Sequence, residues 1–160
     1  MMDSVKKKEF TARITQANKS EIVVIMYEII LADIKTAREA YDKGDKLVYV
    51  AELRNAHKFV LELMNSLDFE YEISKQLMSL YVYLNKNIIK CMTKYDEELL
   101  DTVEMIVDKL LDSFRKVSEM DDSDPVMENT ETIYAGLTYQ KGALNETAYC
   151  DNMSNRGYTV

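Results

Sequence analysis

Four long stretches of the chain carry apolar residues every three or four positions, and this spacing constrains the fold more than any other feature. The stretches cover roughly residues 18–43, 45–66, 71–94 and 96–119. Apolar residues at such intervals line one face of an α-helix. The chain contains only four Gly and one Pro, whereas β folds use both residues freely in their turns. The sequence therefore predicts an all-α protein.

Residues suited to helix starts stand between these stretches. Asn18, Asp45 and Asp96 each precede a periodic stretch, and their side chains are acceptors for the free N–H groups of a first helical turn. Glu21, three residues after Asn18, completes a capping box. Because the connecting loops are short, neighbouring helices must run antiparallel. We therefore predict an up-down four-helix bundle over residues 18–120.

Two segments lie outside the predicted bundle. Residues 1–17 are mostly polar, but Phe10 and Ile14 have the i, i+4 spacing of one helical turn. Residues 121–160 hold seven acidic residues against two basic ones and show no sustained periodicity. This composition predicts a mostly disordered acidic tail, with a short helix near residues 131–137.

Charge and hydropathy exclude several classes of partner. The net charge is −8, whereas nucleic acids and anionic membranes attract clusters of Lys and Arg. The apolar run from residue 22 to 31 contains Glu28 and is too short to cross a bilayer. No signal-peptide cleavage site follows it. We expect a cytoplasmic protein with no nucleic-acid partner and no membrane insertion.

The residues needed for catalysis or metal binding are sparse. His57 is the only histidine, and Cys91 and Cys150 lie far apart, so neither a catalytic triad nor a His-containing metal centre is expected. We predict that the protein is not an enzyme and has no catalytic residue, metal or cofactor. Asp33 stands among apolar residues of the first long helix. It either pairs with a Lys or Arg across the bundle or fixes helix register, and the sequence leaves both options open.

The third long helix has more apolar residues than one interior needs. Its core stripe would be Ile73, Leu77, Leu80, Leu84, Ile88 and Cys91. A second stripe, Tyr71, Met78, Val82 and Ile89, lies about 130° around the helix. A four-helix bundle has one interior, so the second stripe must face something else.

The first long helix shows the same excess at Ile25 and Ile29, which lie off its main apolar face. Three explanations remain open: the N-terminal segment covers the surplus, the protein dimerises, or a groove receives an amphipathic helix of a partner. The candidate partner-binding residues are Phe10, Ile14, Ile25, Ile29, Tyr71, Met78, Val82 and Ile89.

Three segments of the chain resemble the FliS family of flagellar secretion chaperones. Residues 21–28 resemble the opening helix of the family, and Lys43-Gly44-Asp45 its end. Residues 61–68 and 73–85 resemble the end of the next helix and the start of the third. The likeness covers roughly residues 10–118. Phe10 stands where the family has a Tyr, which keeps the ring but removes the hydroxyl.

The resemblance implies a cytoplasmic chaperone that binds the C-terminal segment of flagellin. It would prevent premature polymerisation of flagellin and help to deliver it to the flagellar export apparatus, whose gate is a further possible partner. From the excess apolar faces, and not from the resemblance, we expect residues 1–17 to cover the binding groove while it is empty. The alternative from another class is a structural or regulatory helical module that homodimerises, and the sequence leaves the oligomeric state open between monomer and homodimer.

Overall fold

The computed structural model describes residues 4–127, and five α-helices account for most of them. They are α1 (Ser4–Gln16), α2 (Lys19–Asp42), α3 (Lys46–Asn65), α4 (Glu72–Thr93) and α5 (Glu97–Glu119). The four predicted long helices are thus confirmed close to their expected ends. The short N-terminal helical segment that we predict is also confirmed, and its helix of 13 residues is longer than the single turn indicated by Phe10 and Ile14. The tail from residue 128, including the predicted helix at 131–137, lies outside the described residues.

The residues between the predicted helices cap the helix starts as expected. The Asn18 side chain accepts a hydrogen bond from the Glu21 N–H at 2.9 Å, and the Glu21 carboxylate accepts one from the Asn18 N–H at 2.9 Å. Asp45 accepts from the N–H three residues on, at 3.1 Å, and Asp96 does the same at 3.0 Å. Each cap satisfies N–H groups that a helix leaves free at its start.

The four long helices form the antiparallel bundle that the sequence predicts. α2 packs against α3 and α5, α3 against α4, and α4 against α5, so the ring of helices closes. The α4–α5 contact is the least extensive of the four. α1 packs against α2 on the outside of the ring. Within residues 4–127, no helix has the combination of length and apolar composition required to cross a membrane.

Two tyrosines occupy the centre of the bundle and hydrogen-bond to each other through their hydroxyls. The Tyr27 and Tyr81 rings are 6.5 Å apart, and both side chains are buried. Tyr27 also packs 5.5 Å from the ring of Phe114. Burial raises the pKa of both phenols, so both remain neutral. Apolar side chains surround the pair, among them Ile30, Ile34, Leu53, Val60, Leu84, Ile88, Leu100 and Val103.

The buried side of α4 is rotated from the predicted core stripe. Leu84, Ile88 and Cys91 are buried as expected, but Ile73 is 61% exposed and Leu80 38%. Tyr81 and Ser74 are buried in their place. Each finds a partner for its hydroxyl, since Tyr81 bonds to Tyr27 and Ser74 donates to the Asp68 carbonyl. Apolar periodicity alone misses this rotation because three members of the true buried face, Ser74, Tyr81 and Asn87, carry polar atoms.

Removal of one hydroxyl from the central pair tests its role. Tyr27→Phe or Tyr81→Phe leaves the other hydroxyl buried without its partner, and each should lower the free energy of unfolding by about 1–3 kcal/mol. The double variant should cost less than the sum of the two, since no hydroxyl is then stranded. Urea unfolding of the four proteins measures this, with exposed Tyr83→Phe as control. Strictly additive losses would contradict the interpretation.

Candidate functional site

α1 covers a small apolar patch on the outside of the bundle. Phe10 and Ile14 of α1 pack against Ile25 and Ile29 of α2, which are buried, and Phe59 of α3 belongs to the same cluster. Phe10 and Ile14 are themselves half-buried. The structure therefore brings four of the eight predicted binding residues together. We call Ile25, Ile29 and Phe59 the α1-covered patch.

An ion pair joins the last turn of α1 to α2. Arg13 Nη1 lies 2.5 Å from one carboxylate oxygen of Glu28, and Arg115 of α5 lies 3.2 Å from the other. Arg13 is exposed and Glu28 half-buried, and ion pairs that water reaches contribute little to stability. The apolar contacts of Phe10 and Ile14 are consequently the main attraction along the length of α1.

Hydrogen bonds with the chain that follows α5 anchor the C-terminal end of α1. Asn18 Nδ2 donates to the Asp121 carbonyl at 2.9 Å, and Ser20 donates to the Asp121 carboxylate. The Val126 N–H donates to the Ala17 carbonyl at 3.1 Å. Hydrogen bonds, first from Ser123 and then from Ser20, lower the pKa of Asp121. The chain that follows α5 thus fixes the α1–α2 junction.

A cavity of about 330 Å³ lies beside this anchored end, next to the patch that α1 covers. Its walls come from α1, α2 and α5, and they are Arg13, Gln16, Ala17, Glu21, Val24, Ile25 and Ser118. Ala17 and Ile25 also belong to the cluster that α1 covers. Side chains therefore leave space open beside the α1-covered patch at this end.

Asp33 follows Ile25 and Ile29 at the same spacing of four residues and is fully buried. Asn55 Nδ2 of α3 donates to Asp33 Oδ2 at 2.7 Å, and the nearby Glu52 is also buried. Burial raises the pKa of Asp33 to about 7, against the opposing effect of the Asn55 hydrogen bond, and the negative charge of Glu52 raises it further. Asp33 therefore lies near the amide of Asn55 and the carboxyl group of Glu52, both on α3. The sequence had left open a pairing with Lys or Arg, and the hydrogen-bond donor is instead this amide.

The second predicted stripe of α4 lies on the surface of the described chain. Tyr71 is 64% exposed, Val82 47% and Ile89 43%, and Met78 is half-buried. The interior of the bundle therefore does not bury this stripe, which we call the α4 stripe. Its contact with a partner remains a prediction.

The α4 stripe lies on the flank of α4 that faces α3. Met92, two heptads after Met78, lines a cavity of about 280 Å³ together with Val50 of α3, and residues two heptads apart share a helix side. The α1-covered patch lies elsewhere, on α2 and α3, and its cluster includes no member of the α4 stripe. The eight predicted residues thus form two separate surfaces.

Sequence reasoning missed three exposed apolar residues of α4. Ile73, Leu80 and Tyr83 lie on the surface, although the periodic pattern assigned the first two to the core. A signal was present, since α4 has apolar residues over more of its circumference than a single interior contacts.

The remaining reactive side chains offer little chemistry. Cys91 is buried, and burial raises its pKa to about 11, so the thiol stays protonated at neutral pH. His57 is half-buried on α3, and Cys150 lies outside the described residues. Between residues 4 and 127, no group of three or more His, Cys, Asp or Glu side chains is placed to hold a metal ion. What this part of the chain does have is exposed apolar surface.

The family described as "Flagellar protein FliS" matches residues 1–121, a range that includes all five helices and ends at the Asp121 anchor. A comparison with curated proteins gave no match.

The buried Asp33 predicts a specific pH dependence. Its pKa rises from 3.8 to about 7 on folding, so the folded state binds the proton more tightly than the unfolded state. The contribution of this tighter proton binding to the free energy of unfolding is complete below pH 4 and is lost as the pH rises through 7. Asp33→Asn, which keeps an acceptor for Asn55, should raise the free energy of unfolding at pH 8 by about 1–3 kcal/mol and change it little near pH 4.

Urea unfolding of both proteins from pH 4 to 8 measures the effect. The exposed Asp108→Asn serves as control and should follow the original protein at each pH. Parallel curves for the Asp33 variant and the original protein would show that Asp33 does not titrate as proposed.

Proposed function

Since the chain belongs to the FliS family of flagellar export chaperones, we propose that it binds the C-terminal segment of flagellin in the cytoplasm. It would prevent premature polymerisation of flagellin and help to deliver it to the flagellar export apparatus, with the export gate as a second partner. The observation that supports this most directly is the α4 stripe, where large apolar side chains face solvent in helical register. Exposed apolar surface of this kind is typical of an interaction site.

The physical requirement on such a chaperone is simple. A segment that polymerises through amphipathic helices must have its apolar side covered, and the covering protein therefore needs apolar surface of its own. A client segment that is disordered when free loses about 2–5 kcal/mol or more in becoming ordered. This cost moderates the affinity, which suits a protein that must later release its client.

We propose that α1 competes with the client for the α1-covered patch. It places Phe10 and Ile14 on Ile25 and Ile29, as a bound amphipathic helix of a client would. A free helix of 13 residues is marginal in water, so α1 depends on these contacts for its own stability. Its C-terminal end stays attached through the Asp121 anchor, so displacement breaks contacts along α1, among them those of Phe10, Ile14 and Arg13.

The first test addresses the α4 stripe. Met78→Glu with Val82→Glu places two charges on it and should weaken binding of a flagellin C-terminal peptide at least tenfold, because charged groups are costly to bury in an apolar contact. Calorimetric titration measures the affinity, and circular dichroism confirms that the helices persist. The control is Met105→Glu, which charges an exposed methionine of α5.

Size-exclusion chromatography separates the alternatives in the same experiment. A monomer that forms a 1:1 complex with the peptide supports the proposal. A stable dimer that ignores the peptide, and that the double variant dissociates, would instead support the homodimerising helical module. Unfolding of the double variant would mean that the α4 stripe belongs to the core.

The second test addresses α1. Phe10→Ala with Ile14→Ala removes its apolar contacts and should expose the α1-covered patch. Binding of a hydrophobic dye should rise, and the flagellin peptide should bind about three- to tenfold more tightly, because the open state is then more populated. Val5→Ala changes an exposed residue of the same helix and should alter neither readout. Unchanged dye binding in the double variant would show that α1 covers no usable site.

A further inference from the structure

The link between α1 and α2 consists of only two residues, Ala17 and Asn18. Both are buried, with exposed fractions of 2% and 6%. Because the helix on each side is regular up to this link, the backbone of these two residues sets the direction in which α1 leaves α2. Whatever fixes the link therefore also determines whether α1 lies on the α1-covered patch.

Packing alone does not hold the link on all sides. Ala17 lines the cavity of about 330 Å³ at the end of α1, together with Gln16 of α1 and Ser118 of α5. Side chains on that side leave open space, whereas most of a protein interior is closely packed. The polar contacts of the link consequently matter for its conformation.

The chain that follows α5 supplies these polar contacts. We call residues 121–126 the strap, because they run from the end of α5 to the link. The Val126 N–H donates to the Ala17 carbonyl at 3.1 Å. Asn18 Nδ2 donates to the Asp121 carbonyl at 2.9 Å, while the oxygen of the same amide caps α2. The strap thus contacts both residues of the link.

A few polar contacts hold the strap itself in place. The Ser123 N–H donates to the Asp121 carboxylate at 3.1 Å, and the Ser20 hydroxyl donates to it as well. These hydrogen bonds lower the pKa of Asp121, and a charged acceptor forms stronger hydrogen bonds than a neutral one. Residues 122–126 are exposed. The strap therefore depends on a small number of hydrogen bonds and little on apolar burial.

We propose that the strap locks the link between α1 and α2 and thereby keeps α1 over the α1-covered patch. While the strap holds the link, α1 leaves α2 in the direction that places Phe10 and Ile14 on the patch. Loss of the strap contacts would let α1 swing away, and the patch would be open for a larger fraction of the time. Only the last step rests on the proposed function, namely that the open patch then binds the flagellin segment more tightly.

The strap suits this role better than the ion pair of α1 does. Arg13 and Glu28 form a pair that water reaches, and such pairs contribute little. The strap instead acts on two buried residues, where hydrogen bonds are stronger than in water. It also lies outside α1 and outside the α1-covered patch. Its release would therefore open the patch without changing either apolar surface.

Ser20→Ala with Val126→Pro tests the lock, since it removes two strap contacts and leaves α1 and the α1-covered patch unchanged. Proline has no N–H to donate to Ala17. Amide hydrogen exchange of the full chain, followed by mass spectrometry, should become about tenfold faster in α1, because each lost hydrogen bond shifts an opening equilibrium by roughly two- to tenfold. Exchange in α3, α4 and α5 should stay the same.

The matched control is Ser113→Ala with Val126→Ala, which changes an exposed serine of α5 and keeps the Val126 N–H. It should leave the exchange of α1 unchanged. A flagellin C-terminal peptide should bind the strap variant about three- to tenfold more tightly than the control.

The outcomes separate this proposal from the proposed function. Unchanged α1 exchange in the strap variant would overturn the lock, whatever the peptide does. Faster exchange throughout the bundle would also overturn it, because the strap would then hold the whole bundle and not α1. Faster α1 exchange with unchanged peptide affinity would overturn its last step. Faster α1 exchange with no peptide binding by any of the three proteins would support the lock and contradict the proposed flagellin site.

Discussion

The burial of α2 on two sides is the constraint from which the rest of the structure follows. One side of α2 supplies Tyr27, Ile30 and Ile34 to the centre of the bundle, and another presents Ile25 and Ile29 away from it. The bundle covers the first side only, because its four long helices share one interior. α1 must therefore lie outside the ring, where it buries the second side. The extra helix is a consequence of surplus apolar surface on α2.

The same surplus on α4 has a different outcome, since no described helix covers it. α4 contacts the bundle through Leu84, Ile88 and Tyr81, which leaves apolar side chains exposed on both of its flanks. On the α3 side these form the α4 stripe, and the other flank exposes Ile73, Leu80 and Tyr83. A family that handles unassembled protein segments accounts for exposed apolar surface that would otherwise favour aggregation.

The sequence predicts those parts of the fold that depend on local signals. Apolar spacing and the caps at Asn18, Asp45 and Asp96 are local, and they place the long helices correctly. The rotation of α4 was not predictable in this way, since it depends on a hydrogen bond between Tyr81 and Tyr27, 54 residues apart. For the same reason the pairing of Asp33 with Asn55 and the anchoring of Asn18 by Asp121 appear only when distant parts of the chain meet. The division of the eight predicted binding residues into two surfaces likewise depends on which helices become neighbours.

The anchor at the α1–α2 junction gives the proposed competition its physical basis. A helix held along its whole length would leave only at a cost comparable to unfolding, whereas α1 is tied at one end by Asn18 and Asp121 and elsewhere by two half-buried apolar side chains and a partly exposed ion pair. Release of its free part would expose the α1-covered patch and leave the Tyr27–Tyr81 centre intact. Because the junction stays attached, α1 would remain close enough to return when the client leaves. Binding and release can then exchange one short helix for another at the same patch without disturbing the bundle.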